Sequence, residues 1–357
     1  MSRLIIGLLG VLVAIKLPAE TTNLAASKAT NGVIQTTNAF EAAAATNDPV
    51  ESEFKRLMAE DDAAQAEVDR WIQEDQAFVA AGGVASGNLR QRIRERMQGI
   101  AQGYREFIKE HPQHAKARVA YGSLLGDMND EDGAQEQLEA ALKLDTNDPA
   151  IYNNLANIYG HHGPVTNAFD FYARAIKLNP NEPVYYQNFG TTVYLFRQDA
   201  KEYFGFTEDQ VFAKAFELYS NAMRLAPDDF PLATDVAETY YGVRPMRTEA
   251  ALKAWTNALN IAHDEIEREG VYIHFARIKL MAKRFDEARA HLNAVTNTMY
   301  AEMKRRIARN LDEQEAEAKG TNLTSATNAP PKTNGPASQA DKPSQDTGMP
   351  SRRLVGQ

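Results

Sequence analysis

The sequence predicts an all-α solenoid of stacked helix–turn–helix units closed by capping helices. Three observations predict it. Small residues recur at a fixed period through the middle of the chain, apolar residues between them follow helical spacing, and both ends have a composition that does not pack into a core.

Charged residues make up 24% of the 357-residue chain and hydrophobic ones 43%, values expected of a folded soluble protein. The net charge is −9; the first 49 residues carry three basic and three acidic side chains, and residues 319–357 carry five basic against two acidic, so the segment between holds −12. A nucleic-acid partner is not expected, since phosphate binding needs a basic stripe. The chain has no cysteine, which excludes a disulfide framework, a thiolate zinc site, a cysteine nucleophile and a lipoprotein cysteine.

Residues 1–19 read as a targeting segment. Arg3 precedes an apolar run from Leu4 to Ile15 that Lys16 closes. About twelve apolar residues suit a signal-peptide core better than a membrane span, and Ala19 and Ala25–Ala26 offer small residues for cleavage. The alternative is an uncleaved membrane anchor formed by residues 4–15. Either places the folded part outside the cytoplasm. Residues 20–47 (Thr, Asn, Ala) are expected to be a disordered linker and residues 320–357 (Thr, Asn, Pro, Ser) a disordered tail, because neither has enough large apolar side chains to offset the entropy of ordering.

Residues 48–114 are expected to be N-terminal capping helices with a degenerate half-repeat. Phe54, Leu57, Met58, Val68, Trp71 and Ile72 follow a helical period. Asp48 with Glu51, and Asn88 with Gln91, have the spacing of capping boxes, and Pro49 suits a first helical position.

From residue 115 to 302 five units are expected: 115–148, 149–182, 183–229, 230–268 and 269–302. Gly122, Ala156 and Gly190 follow at steps of 34, and Ala237 and Ala276 continue at 47 and 39. Ala134, Ala168, Ala215, Ala251 and Ala288 mark the second helices, and four residues after each stands a large side chain: Leu138, Tyr172, Tyr219, Trp255 or Leu292. Small residues belong where two helix axes approach closely, and the large ones form the stripe each helix buries. One unit cannot bury that stripe alone, so stacking supplies the stability. Leu292, Val295, Met299, Met303, Ile307 and Leu311 are expected to prolong the last helix, with 303–319 as its C-terminal cap.

This pattern resembles the tetratricopeptide repeat. The unit from Pro149 to Glu182 carries Tyr152, Leu155, Ala156, Tyr159, Ala168, Tyr172, Ala175 and Pro180 at the family's places. The resemblance implies a right-handed superhelix whose first helices line a concave face. There the candidate partner-binding residues are Asn153, Asn154, Asn157, Gln187, Asn188, Thr191, Tyr194, Glu238 and Tyr241, with Thr234, Asp235, His274 and Arg277 in the same face. Asn154 and Asn188 are expected to face solvent and hold a partner's backbone. Val119, Ser123 and Val184 replace the Lys, Asn and Lys by which some relatives clamp a carboxyl terminus, so that mode is not expected.

The third unit has 25 residues from Gly190 to Ala215 where the first, second and fifth have 12 and the fourth, with a longer turn around Gly242–Arg247, has 14. The insert, about Leu195 to Gln210, carries Phe196, Tyr203, Phe204 and Phe206. It is read either as extended helices burying these rings against one another or as an aromatic lip on the groove. Thr207 and Gln210 have capping-box spacing.

No phosphate loop, His-Glu-x-x-His or Gly-x-Ser-x-Gly occurs. His161-His162 is expected to be a solvated turn, and Asp61-Asp62 and Asp228-Asp229 to lie at helix starts or on exposed faces. No catalytic residue, metal or cofactor is expected. The expected function is a non-catalytic scaffold binding a protein or peptide partner. The alternatives are a self-associating structural envelope protein and an accessory subunit that presents substrate to a separate enzyme.

Overall fold

The computed structural model describes residues 48–80, 83 and 86–320. The targeting segment and linker expected at 1–47, and the tail from 321 onward, lie outside the described residues. The chain divides at Leu311 into two units, of which the second is described only for 312–320.

The described residues are helical, without a strand. The long α1 (Pro49–Ala80) is followed by α2 (Leu89–Glu110). Then come α3 (Ala115–Asp127) with α4 (Glu131–Leu144), and α5 (Pro149–His162) with α6 (Val165–Leu178). The third pair, α7 (Pro183–Leu195) and α9 (Glu208–Leu225), is interrupted by the short α8 (Arg197–Phe204). Next are α10 (Phe230–Thr239) with α11 (Thr248–Ile261), α12 (Glu265–Met281) with α13 (Phe285–Ala294), and finally α14 (Ala301–Ala318). Each pair packs as a hairpin and also touches the next pair, making an all-α solenoid.

Helix starts explain themselves locally. Asp130, Asp148, Thr207, Asp229 and Asp264 each accept a hydrogen bond from a backbone N–H of the following first turn, which satisfies donors the helix itself cannot. Pro149, Pro183 and Pro231 occupy first-turn positions, where a missing N–H costs nothing. The capping box at Thr207 and Gln210 is complete. At the other expected boxes only Asp48 caps, accepting from the Val50 N–H. Glu51 is drawn instead to His114, 3.6 Å away, Asn88 makes no side-chain cap, and Gln91 bonds Glu95.

Small residues stand at the tight crossings. A Cβ on Gly122 would lie 2.8 Å from Leu138 Cγ, and one on Gly190 3.3 Å from the Ala215 carbonyl. Ala156, Ala168, Ala215, Ala237, Ala251, Ala276 and Ala288 are fully buried.

Several expectations are corrected. The last helix does not run on from α13: it stops at Ala294 and restarts through a 3-10 turn, Thr298–Tyr300. The buried Glu269 takes hydrogen bonds from the N–H groups of Thr296 and Asn297 and from the Thr296 hydroxyl. Those donors are thereby diverted from the helix ladder. Asp61 is buried, accepting the Tyr104 hydroxyl at 2.7 Å. His161 and His162 belong to the last turn of α5 and converge on Glu131 at 3.3 and 2.6 Å.

The insert is a separate helix rather than an extension. Gly205, at φ +66°, ends α8 in the left-handed region open to glycine. Phe204 stacks on Phe206 at 5.2 Å and meets Phe169 at 5.4 Å. Tyr203, 41% exposed, gives its hydroxyl to Asp170.

Candidate functional site

The first helices of units two to five bring the candidate residues into two rows. Asn154, Asn188, Asp235 and His274 stand at equivalent places on α5, α7, α10 and α12, and Asn157, Thr191, Glu238 and Arg277 stand three residues further along. Residues three apart share a helix face, so each helix contributes one member to each row.

The first row is linked from helix to helix. Asn188 donates to Asn153 Oδ1 at 3.1 Å, and Asn153 donates to Asn154 Oδ1 at 3.2 Å. Gln187, one unit on from Asn153, donates to Asp235 Oδ2 at 2.8 Å. Asn153, Asn154 and Tyr194 are only 4%, 3% and 6% exposed, so the expectation that Asn154 faces solvent is corrected. Adjacent first helices cover these side chains, and the amides satisfy one another because an unpaired buried amide is costly. Asn157, Gln187, Asn188, Thr191, Glu238 and Tyr241 are partly exposed.

The second row is linked to the second helices, but only in part. The Tyr172 hydroxyl donates to Asn157 at 2.6 Å, and the Tyr219 hydroxyl lies 2.9 Å from Thr191 Oγ1. In the first unit Leu138 stands where these tyrosines do, and Ser123 Oγ is buried without a hydrogen-bond partner. In the fourth unit Trp255 takes that place. Its indole N–H finds no acceptor, and Glu238 takes no hydrogen bond from any described residue. The Leu, Tyr, Tyr, Trp series is visible in the sequence at a fixed place in each unit, but which side chain each member faces is set only by how the helices stack.

Charge therefore accumulates on α10. Burial, opposed by the Gln187 hydrogen bond and reinforced by Asp229, pushes the Asp235 carboxyl up to about 6. Burial and the Asp235 charge, opposed by Arg277, push Glu238 up to about 7. The Glu238 side chain is still 41% exposed, so water reaches it from the open face while helices wall the others. His274 is no counter-charge. Burial, then Arg277, push it down to about 3, and it stacks on Trp255 with ring centroids 3.9 Å apart. Its Nδ1 lies 3.1 Å from the Tyr241 hydroxyl and its Nε2 3.9 Å from Glu238. Exposed Arg277 lies over the Tyr241 ring at 4.8 Å and makes no ion pair among the described residues.

Ligand-type groups gather elsewhere only at Glu53, Glu110 and His111 among the described residues, with one atom each within 4.8 Å of the others. Glu53 already pairs with His111 at 3.7 Å, and the group lies on α1 and α2, outside the two rows. No described helix is long and apolar enough to cross a membrane.

No curated protein matches the chain in sequence. Among solved structures, the chain is similar to PilF of Pseudomonas aeruginosa, with 16% identity over 72% of this chain and 99% of that one (TM-score 0.46). It is also similar to MamA, with 21% identity over 50% and 95% (TM-score 0.38). A third likeness is YrrB, described as a TPR protein with an unusual peptide-binding site, with 15% identity over 58% and 98% (TM-score 0.43). The tetratricopeptide-repeat family model matches residues 115–148 and 149–182. With the small-residue crossings and hairpin stacking above, residues 115–182 are two tetratricopeptide repeats within the helical solenoid.

Proposed function

We propose that this protein is a non-catalytic scaffold that holds an extended segment of a protein partner along the face built by α5, α7, α10 and α12. Proteins of this repeat family bind protein or peptide partners. The observation that carries the reading is the second row. Equivalent places on successive first helices offer Asn157, Thr191, Glu238 and Arg277, each at least partly exposed. A periodic row of donors and acceptors suits an extended backbone. The buried first row, including Asn153 and Asn154, then holds the helices in register instead of touching the partner. His274, kept neutral by burial and stacked on Trp255, is unsuited to general base chemistry near neutral pH.

A photo-crosslinking residue placed at Thr191 or Tyr241 should capture a partner in native envelopes, and one placed at Glu217 on α9 should not. Capture from Glu217 alone would move the site to the second-helix face, and a crosslinked product of twice the chain mass would favour self-association. The apolar run Leu4–Ile15 supports placing the scaffold outside the cytoplasm, by a cleaved signal or an anchor. Intact-mass analysis of the exported protein should find an amino terminus between Glu20 and Ser27; a terminus at Met1 or Ser2 would make the run an anchor.

A further inference from the structure

The fourth unit differs chemically from its neighbours at equivalent places. Where units two and three set amides at the first row, this one sets Asp235. Where they set Asn157 and Thr191 at the second row, each tied to a tyrosine hydroxyl, it sets Glu238 opposite a tryptophan that cannot reach it. Two carboxylates one helical turn apart are thus turned to a partly open face, and among the described residues the Gln187 amide is their sole hydrogen-bond donor. Neither has a cation within ion-pair distance. Arg277 sits over Tyr241 instead, Arg244 is spent on the Tyr241 and Val243 carbonyls, and Arg197 faces Glu208 at 3.8 Å.

A second group at the same place is also unpartnered. Tyr194, on α7, is 6% exposed, yet its hydroxyl makes no hydrogen bond to any described residue. The ring is seated against the turn that follows α10. A Cβ on Gly242 would lie 2.6 Å from Tyr194 Cε2 and 2.9 Å from its hydroxyl oxygen, so only glycine admits the ring there. Burial raises the Tyr194 hydroxyl pKa, and the charges of Arg197, Glu238 and Arg244 all act on it. An acid pair with a hydroxyl beside it that no described residue engages lacks a multidentate donor that carries positive charge.

We propose that the fourth unit binds an arginine side chain of the partner segment, its guanidinium held by Asp235 and Glu238 with the Tyr194 hydroxyl accepting a further hydrogen bond. The planar guanidinium presents five N–H donors in a fork and matches carboxylate pairs. The neighbouring Tyr241 ring already accepts a guanidinium, that of Arg277, on its face. The negative charge of the folded segment draws a basic partner toward the site. This inference rests on the first-helix face being the binding face.

The test uses two immobilised peptide pools with identical randomised flanks, one centred on arginine and the other on citrulline, its neutral isostere, at about pH 8, where both carboxylates are ionised. The full-length protein should bind the arginine pool on the order of tenfold more tightly than the citrulline pool. Glu238→Gln should abolish the difference, and Tyr194→Phe should reduce it, each without a fall in thermal midpoint. Equal binding of both pools by the wild-type protein would overturn the arginine site and leave the groove reading standing. Binding of neither pool would count against both. An arginine preference undiminished in Glu238→Gln and in Asp235→Asn would also overturn the assignment.

Discussion

The second and fourth units share a backbone plan and differ in how they treat the same positions. In the second unit the first-helix amides are buried and bonded to one another, and Asn157 is bonded to Tyr172, whose hydroxyl also receives a hydrogen bond from Thr192. In the fourth, a carboxylate pair replaces the amides and a tryptophan replaces the tyrosine. The first arrangement ties these amides and the tyrosine hydroxyl to one another within the chain, and the second leaves charge unpaired. A fold under selection for stability alone would repeat the first arrangement. The proposed recognition of a partner in the fourth unit accounts for its abandonment there, at a cost in stability.

The largest expected effect lies in the second unit. Ala168 is fully buried, so Ala168→Glu combines overpacking with an unpaired charge and should cost on the order of 3 kcal/mol in chemical denaturation. A loss comparable to that of an exposed-site control would sever the link between small residues and close crossings. Glu182→Ala, at the junction between the second and third units, is not a neutral comparison. Glu182 is buried and caps α7, so its removal loses a cap.

The fourth unit should respond with the opposite sign. Carboxyl groups whose folded pKa is raised bind more protons in the folded state, so their ionisation destabilises the fold as pH rises from about 4 through 7. With Asp235 at about 6 and Glu238 at about 7, the Asp235→Asn, Glu238→Gln double variant should be more stable than wild type near pH 8, by roughly 1–2 kcal/mol after discounting for the solvent that reaches Glu238. Near pH 4 the two proteins should unfold alike. A double variant less stable than wild type at both pH values would show that the pair supports the fold, and the contrast between units would collapse.

The smallest effect tests the first unit. Ser123 is buried and its hydroxyl unpartnered, so Ser123→Ala should change stability by no more than about 0.5 kcal/mol, with any change favourable. A loss above about 1 kcal/mol would reveal a hydrogen bond there and erase the distinction between satisfied and unsatisfied members of the row.

The repeat architecture was legible in the sequence because its cause is local and periodic. Close crossings admit only small residues, and Gly122, Ala156 and Gly190 recur with the crossings. The candidate face was legible as well, since helical spacing alone puts Asn157, Thr191 and Glu238 on equivalent surfaces. The fates of individual side chains on that face were not. Asn153 and Asn154 are adjacent in sequence and equally polar, and nothing local says that both will be buried or that Asn188 of the next unit will bond Asn153. The Gln187–Asp235 contact joins residues 48 positions apart across the insert that shifts the repeat step. The α13–α14 break also escaped, because the carboxylate that causes it, Glu269, lies 27 residues before Thr296.

The sequence by itself determined the all-α class, the period of the units and the faces the first helices share, since sterics at crossings and the helical repeat act through neighbouring residues. The tertiary structure alone decided which polar groups on those faces are satisfied. That depends on the side chain the adjacent unit brings opposite each one: a tyrosine closes Asn157, a leucine strands Ser123, and a tryptophan leaves Glu238 without a partner. Hydrogen bonds and desolvation act over a few ångströms in space whatever the separation in sequence, so the charged place in the fourth unit emerged only once the helices were stacked.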